Sequence, residues 1–199
     1  MHLNQARFSM SCNAVAQMPA DLGIEIAFVG RSNAGKSSTL NLLTQQKKLA
    51  FTSKTPGRTQ QINVFKLDEE HRLIDLPGYG YAEVPKAIKR DWQKLLNHYL
   101  QERQSLKGLV LIADCRHDLK TSDQDVISWA IECKLPLLLL LNKADKLSHN
   151  QQQQCLQQVK PYLVQYPTSL LTYQLFSTKS KQGLDNAHEW VMTQLNPEH

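Results

Sequence analysis

The sequence predicts a three-layer α/β fold, in which helices cover both faces of a mostly parallel six-stranded sheet with one antiparallel edge strand. Short apolar runs alternate along the chain with longer segments of helical periodicity, and most of the runs are continuously apolar. Strands have that pattern when helices bury both of their faces. Alternating strands and helices with right-handed crossovers form a doubly wound, mainly parallel sheet.

Six short segments are predicted to be strands: residues 24–29, 62–67, 72–75, 108–113, 135–141 and 173–176. The second and third are joined only by the four residues DEEH, and so short a connection makes them antiparallel neighbours. Five segments are predicted to be helices: residues 37–46, 84–103, 122–134, 150–164 and 185–195. Segment 84–103 has the clearest pattern, because its apolar residues recur at three- and four-residue spacing.

Length and composition predict a single globular domain of residues 23–199, preceded by an N-terminal arm or extension of residues 1–22. The longest apolar run, residues 135–141, is too short to span a bilayer, and no secretory signal opens the chain. The four cysteines are widely spaced and form no metal-binding pattern. We therefore expect a cytoplasmic protein with reduced thiols and no membrane contact.

The formal net charge of +5 is concentrated in one part of the chain. Residues 1–60 contain seven Lys or Arg against two acids, whereas the rest contains sixteen of each sign. Part of this excess is expected to face a polyphosphate, and the rest either faces RNA or forms an ordinary solvated surface.

The motif GRSNAGKS fits the phosphate-binding pattern GxxxxGK[ST] and lies between an apolar strand and a helix. Its eight residues are Gly30, Arg31, Ser32, Asn33, Ala34, Gly35, Lys36 and Ser37. Backbone N–H groups of such a loop turn towards the phosphates, and the helix N-terminus adds a positive dipole end. Lys36 is predicted to reach the β- and γ-phosphates, and the Ser37 hydroxyl to ligate Mg²⁺. The alternatives are a chance glycine turn and a dinucleotide site, but the latter lacks its GxGxxG.

A second motif, DLPG, ends the third predicted strand and comprises Asp75, Leu76, Pro77 and Gly78. Asp75 is predicted to hold Mg²⁺ through water, and the Gly78 N–H to approach a γ-phosphate oxygen. The next residue is Tyr79, which has no amide to orient an attacking water. Unassisted hydrolysis is therefore expected to be slow, within a few decades of ~10⁻⁴ s⁻¹.

The third motif, NKAD, follows the most apolar strand and predicts guanine selectivity. Asp145 can accept hydrogen bonds from guanine N1–H and N2–H₂, whereas adenine would leave its charge unpaired, a discrimination of about 10⁴. Lys143 is predicted to lie over the base and Asn142 to tie this loop to the phosphate loop, with Ala144 between Lys143 and Asp145. Phe176, Ser177 and Thr178 follow the last strand, and their backbone is placed to meet guanine O6, although read alone they form an ordinary strand-to-helix turn.

A polar segment between the first two motifs, residues 52–60, contains three threonines. One of them is expected to complete the Mg²⁺ shell when a γ-phosphate is present. Spacing alone does not choose among Thr52, Thr55 and Thr59.

Together the motifs resemble those of translation-factor-type GTPases. The exact residues of these motifs resemble those of the EngB/YsxC family of bacterial ribosome-biogenesis GTP-binding proteins. The stretches that carry this resemblance are GRSNAGKSS, TSKTPGRTQ, DLPGYGYAEVP, RHDL, NKAD and FSTKSKQG. The likeness covers about residues 8–195, and its one notable departure is Asp118, where the family usually has proline.

The resemblance implies a P-loop GTPase fold and a slow GTPase, with Lys36, Thr59 and Gly78 as the residues of the reaction. It implies Ser37, Thr59 and Asp75 as the Mg²⁺ set, and K⁺ beside Asn33 as a further hypothesis. It also adds five consecutive nucleotide-binding positions: Gly57, Arg58, Thr59, Gln60 and Gln61. The implied partner is the large ribosomal subunit or its precursor, through rRNA, with roles in ribosome biogenesis and septation for a monomeric protein.

A set of basic residues is predicted to form the RNA-facing surface: Lys47, Lys48, Lys54, Lys86, Lys89, Arg90, Lys94 and Arg103. The alternative is that the lysines of segment 84–103 only form the solvent-exposed side of a helix and bind no RNA. Tyr79 also leaves a second functional class open, a nucleotide-dependent RNA- or ribosome-binding scaffold in which hydrolysis is incidental. A third class, an ATP-using kinase, conflicts with NKAD.

Overall fold

The structure is a computed structural model that describes residues 1–50, 61–80 and 86–197, with only the backbone described for 86–89. Within these residues one sheet contains the strands β1 (Arg7–Cys12), β2 (Ile24–Gly30), β3 (Ile62–Lys66), β4 (His71–Asp75), β5 (Leu106–Asp114), β6 (Leu137–Asn142) and β7 (Leu171–Leu175). The strand order is β1-β3-β4-β2-β5-β6-β7. Strand β3 is antiparallel to both of its neighbours, and the other pairings are parallel.

The sheet has seven strands rather than the six that the sequence predicts, because β1 forms within the segment predicted to be an arm. Five of the six residues of β1 are exposed, so this edge strand lacks the continuous apolar run that identifies the others. The antiparallel strand β3 consequently lies second from the edge. The six predicted strands are confirmed in position.

Five α-helices complete the described fold: α1 (Lys36–Leu43), α2 (Lys86–Glu102), α3 (Thr121–Glu132), α4 (His149–Leu163) and α5 (Leu184–Leu195). Helices α1 and α5 bury Leu40 and Val191 on one face of the sheet. Helices α2, α3 and α4 bury residues such as Leu96 and Ile127 on the other face. Each large apolar side chain buried in this way contributes about 1.5–3 kcal/mol to folding. The predicted three-layer α/β architecture is confirmed.

The carboxyl end of α2 is fixed by a buried ionic cluster at the amino edge of the parallel strands. The carboxylate of Glu25 is fully buried and accepts from Arg103 Nη2 at 2.6 Å and from the Tyr99 hydroxyl at 3.2 Å. Arg72 Nε lies 3.1 Å from the same carboxylate. The prediction that Arg103 belongs to an RNA-facing surface was therefore wrong, since its charge is used inside the protein.

The loops that follow β2, β4, β5, β6 and β7 meet at the carboxyl edge of the parallel strands, where ligands bind in folds of this kind. This edge carries all three predicted motifs. No helix in the described part of the chain is long and apolar enough to cross a membrane.

Candidate functional site

The loop between β2 and α1 has the geometry of a phosphate cradle. Gly35 immediately precedes the first residue of α1 and has φ +105°, a left-handed conformation that side chains other than glycine rarely adopt. A Cβ at this position would lie 2.2 Å from Asn142 Nδ2. The tight turn therefore requires glycine both for its backbone angle and for its contact with the loop after β6.

Lys36 and Asp75 meet at the centre of this edge. The Lys36 ammonium forms an ion pair with Asp75 Oδ1, and both side chains are largely buried. Lys36 comes from the first turn of α1 and Asp75 from the last position of β4, with Ser37 next to Lys36 in the sequence. A buried ammonium, a carboxylate and a nearby hydroxyl fit a phosphate that is accompanied by a hard cation, because Mg²⁺ prefers oxygen ligands.

When bound, Mg²⁺ would supply positive charge to the phosphates. Ser37 and Asp75 are the described residues predicted to hold it, and Lys36 is predicted to bind the phosphates directly. These assignments stay predictions. The charges of Lys36 and Asp75 compensate each other across the space between α1 and β4.

The segment after β4 lies close to the phosphate loop in space. Leu76 is buried and its N–H donates to Phe28 O at 3.0 Å, which extends the pairing of β4 with β2. Pro77 O accepts from Trp92 Nε1 at 2.9 Å. A Cβ placed on Gly78 would lie 3.6 Å from Gly30 O, so Gly78 packs against the loop that would hold phosphates.

Tyr79 is a core residue and not a group that faces the nucleotide site. Its side chain is 4% exposed, its ring lies 4.4 Å from the Trp92 ring, and its hydroxyl donates to Asp123 Oδ1 at 2.6 Å. Burial, followed by the Asp123 charge, raises the pKa of the Tyr79 hydroxyl well above its usual range. Tyr79 therefore stays neutral and has no free group with which to orient water.

The loop after β6 is bonded to the phosphate loop by two side chains. Asn142 Nδ2 donates to Ala34 O at 2.7 Å, and Lys143 Nζ donates to Asn33 O at 2.7 Å. Lys143 has φ +69° and leads into the 3-10 helix Ala144–Lys146. The predicted contact of Asn142 with the phosphate loop is present.

Asp114 is a site residue that the sequence did not predict. It ends β5, and its Oδ2 accepts from Lys143 Nζ at 2.9 Å and from Arg116 Nη2 at 2.7 Å. Burial would raise the pKa of Asp114, but the bonds from Arg116 and Lys143 outweigh it and hold the pKa far below the usual range. The sequence feature that could have identified Asp114 is its position at the carboxyl end of a parallel strand.

Asp145 and Ser177 form the part of the site that is predicted to bind guanine. Ser177 Oγ donates to Asp145 Oδ1 at 2.7 Å, and this bond is the main cause of the lowered pKa of Asp145. Ser177 is buried and its hydroxyl also accepts from Ser180 N at 3.0 Å. Asp145 is half-buried, and its Oδ2 lies 3.8 Å from Lys146 Nζ. Ala144 N donates to Phe176 O at 3.0 Å, which joins the two loops.

Thr178 is half-buried beside Ser177, and its predicted contact with guanine stays a prediction. Gln61 precedes β3 and donates through Nε2 to Asn13 Oδ1 at 3.2 Å. The predicted residues Gly57, Arg58, Thr59 and Gln60 lie outside the described residues, as do Thr52 and Thr55. The choice of the Mg²⁺-binding threonine therefore stays a prediction.

Comparison with known proteins identifies the family of the chain. A family model described as "50S ribosome-binding GTPase" matches residues 25–143. A "Probable GTP-binding protein EngB" of Pseudoalteromonas atlantica is 56% identical over 185 residues, which cover 93% of this chain and 89% of the relative. The protein of the same name from Salmonella newport is 50% identical over 189 residues, covering 95% of this chain and 90% of the relative.

Solved structures agree on the fold. The crystal structure of a probable GTP-binding protein engB has a TM-score of 0.70 at 22% identity, covering 87% of this chain and all of the other. Aquifex aeolicus Era bound to GDP·AlF₄⁻ has a TM-score of 0.63 at 18% identity, covering 88% of this chain and 57% of the other. With its phosphate loop, its NKAD loop and nearly full-length identity of 50% or more to these relatives, the chain belongs to the EngB family of GTP-binding proteins and is a GTPase.

Proposed function

We propose that this GTPase is a cytoplasmic switch that acts in assembly of the large ribosomal subunit and binds the precursor particle in its GTP form. The observation that carries the proposal is the match of residues 25–143 to a family described as 50S ribosome-binding GTPases. The basic character of the chain, with a net charge of +5, supports a partner rich in RNA phosphates.

The nucleotide is proposed to lie along the carboxyl edge of the sheet. Its phosphates contact the loop from Gly30 to Ser37, and its guanine is selected by Asp145 beside Ser177. Mg²⁺ is held by Ser37, Thr59 and Asp75, and K⁺ beside Asn33 remains part of the proposal. The converging polar groups and the lowered pKa of Asp145 support this arrangement, since an ionised carboxylate suits two guanine N–H donors.

Hydrolysis by the free protein is proposed to be slow, because the position after Gly78 has no group that can orient water. The Tyr79 hydroxyl is bonded to Asp123 in the core. Another group then completes the site, and the ribosomal particle is the proposed one, with Arg31, Arg58 and K⁺ as the alternatives. This reasoning favours a hydrolysing switch over a scaffold, because the rest of the phosphate apparatus is intact.

The proposed RNA-facing surface includes the outer side of α2. Arg90 and Lys94 are exposed, lie one helical turn apart, and form no ion pair with an acid in the described residues. His98 is exposed one turn further along the same side. The charges of Arg90 and Lys94 in this row fit the spaced phosphates of an RNA strand.

Two measurements test the proposal. Co-sedimentation with purified large-subunit particles should be stronger with a non-hydrolysable GTP analogue than with GDP. Single-turnover GTP hydrolysis should accelerate when the same particles are added. Binding without any acceleration would favour the scaffold, and equal sedimentation with both nucleotides would contradict a switch. Rates in K⁺ and Na⁺ buffers of equal ionic strength test the monovalent cation separately.

A further inference from the structure

The segment that follows β4 is attached to two helices on the opposite side from the phosphate loop. The Tyr79 hydroxyl donates to Asp123 Oδ1 on α3 at 2.6 Å, and the Tyr79 ring is tilted by 37° against the Trp92 ring on α2. Trp92 Nε1 donates in turn to Pro77 O at 2.9 Å. The residues on either side of Gly78 are therefore both held by side-chain contacts.

The same segment is paired through its backbone with the phosphate loop. Ser32 N donates to Tyr79 O at 2.7 Å, and Tyr79 N donates to Gly30 O at 3.3 Å. Arg31 Nη2 donates to Gly80 O at 3.4 Å. Gly78 thus lies at a junction of three elements: the phosphate loop, the segment after β4, and α3.

Asp123 is the group that joins α3 to this junction. It is 3% exposed, and its second oxygen accepts from Lys120 N at 3.0 Å, so both carboxylate oxygens are bonded. Burial raises the pKa of Asp123, while the bond from Tyr79 and the charge of Arg31 act in the opposite direction. A buried carboxylate is unfavourable unless its bonds are satisfied, and here the satisfying partner is the residue next to Gly78.

We propose that Asp123 is a positioning residue of the GTPase reaction, which acts through Tyr79 to hold Gly78 against the phosphate loop. Gly78 is the residue whose N–H is predicted to meet a γ-phosphate oxygen. Holding it in place beforehand lowers the entropy that GTP binding must remove. GDP has no γ-phosphate to meet a positioned Gly78, so its affinity should change much less than that of GTP. The proposal assigns Asp123 this role through its bond to the Tyr79 hydroxyl.

The test compares the affinities of Tyr79→Phe, Asp123→Ala and the double variant for a non-hydrolysable GTP analogue and for GDP. Each single variant should bind the analogue roughly three- to tenfold more weakly, the factor expected from one buried hydrogen bond, with GDP affinity within about twofold of wild type. The double variant should be no weaker than the weaker single variant, because both changes break the same connection. Single-turnover hydrolysis should fall by a similar factor.

The matched control is Tyr162→Phe. The Tyr162 hydroxyl donates to Gln124 O on α3 at 3.3 Å, next to Asp123 but on the side of α4. This control also removes a tyrosine hydroxyl that is bonded to α3. It should leave the ratio of the affinity for the GTP analogue to the affinity for GDP unchanged. If Asp123→Ala does not fold, Tyr79→Phe against this control still tests the proposal.

Trp92 provides a second measurement that a purely structural role would not change. In a background with Trp129→Phe and Trp190→Phe, the analogue should shift the Trp92 emission differently in Tyr79→Phe than in the parent. Equal losses of analogue and GDP affinity, or a lower melting temperature with an unchanged affinity ratio, would overturn the proposal.

Discussion

Asn142 Nδ2 donates to Ala34 O at 2.7 Å and so joins two loops that are 108 residues apart in the sequence. Gly35 follows Ala34 and leaves no room for a side chain, since a Cβ there would lie 2.2 Å from the same nitrogen. The shape of the phosphate loop therefore depends on the loop that carries Asp145, the residue predicted to select guanine.

Gly35→Ala should reduce the affinity for both GDP and GTP by more than about tenfold, because the change strains a residue at φ +105° and displaces Asn142. Isothermal calorimetry on the folded variant would measure the loss. The matched control is Gly23→Ala, a glycine at φ +77° whose Cβ would lie 2.1 Å from Glu70 O at the far edge of the sheet. The control should lower the melting temperature and leave nucleotide affinity unchanged, so an equal loss of affinity in both variants would contradict the reasoning.

Ser177→Ala should weaken GDP binding about three- to tenfold, because Asp145 loses the donor that orients its carboxylate. Asp145→Asn should shift the preference from guanosine to xanthosine nucleotides, since xanthine carries an oxygen in place of the 2-amino group. Competition of GDP, xanthosine diphosphate and ADP against a fluorescent GDP would measure both effects. Ser148→Ala is the control, because Ser148 caps α4 by accepting from Gln151 N. It should affect stability alone, and unchanged guanosine preference in Asp145→Asn would remove Asp145 from the site.

The sequence predicts the parts of this site that are defined by local spacing. Asn142, Lys143 and Asp145 come in a fixed order at the end of an apolar strand. The contacts of Asn142 and Lys143 with the phosphate loop follow once the strands are parallel. Asp114 and Asp123 could not be identified in this way, because their importance comes from partners distant in the chain. Strand β1 was missed for a related reason. Its exposed residues carry no continuous apolar pattern, and only pairing with β3 defines it.

Asp114→Asn should weaken GDP and GTP binding equally, by roughly threefold, because Lys143 loses its ion pair with Oδ2 at 2.9 Å. Both nucleotides make the same base contacts, so Asp114→Asn should weaken the binding of both. A change at Asp123 should instead weaken mainly the binding of the triphosphate. Stopped-flow dissociation of labelled GDP and of a labelled GTP analogue would measure it. Asp118→Asn, an exposed carboxylate in the same loop, is the control. A loss confined to the triphosphate would show that Asp114 acts by another route.

Acid stability should depend on Asp21, whose carboxylate accepts from Gln104 N at 2.8 Å and from the Ser105 hydroxyl at 2.6 Å. Burial would raise the pKa of Asp21, but these bonds outweigh it and lower the pKa. A carboxyl whose pKa is lower in the folded state stabilises the fold at pH values above its pKa in the unfolded chain, about 3.9. This contribution is lost as the pH falls through the pKa that the carboxyl has in the folded state.

Asp21→Asn should therefore melt at a lower temperature than wild type at pH 7, and the difference should shrink below about pH 4. Thermal melts from pH 7 to well below pH 4 would measure the difference. Asp91→Asn, which changes an exposed carboxylate on α2, should show no such convergence. A constant difference at every pH would mean that Asp21 acts through packing rather than through its charge.

Binding to large-subunit particles should lose part of its salt dependence when α2 loses its outer cations. Arg90→Gln with Lys94→Gln removes two exposed charges that form no ion pair with an acid in the described residues. Each contact with an RNA phosphate contributes a slope of about 0.7–0.9 to log K against log salt, so the pair should reduce the slope by roughly 1.4–1.8. The control is Lys134→Gln with Lys160→Gln, two exposed cations on the side of α3 and α4. An unchanged slope in the α2 variant, or an equal reduction in the control, would place the RNA contact on another surface.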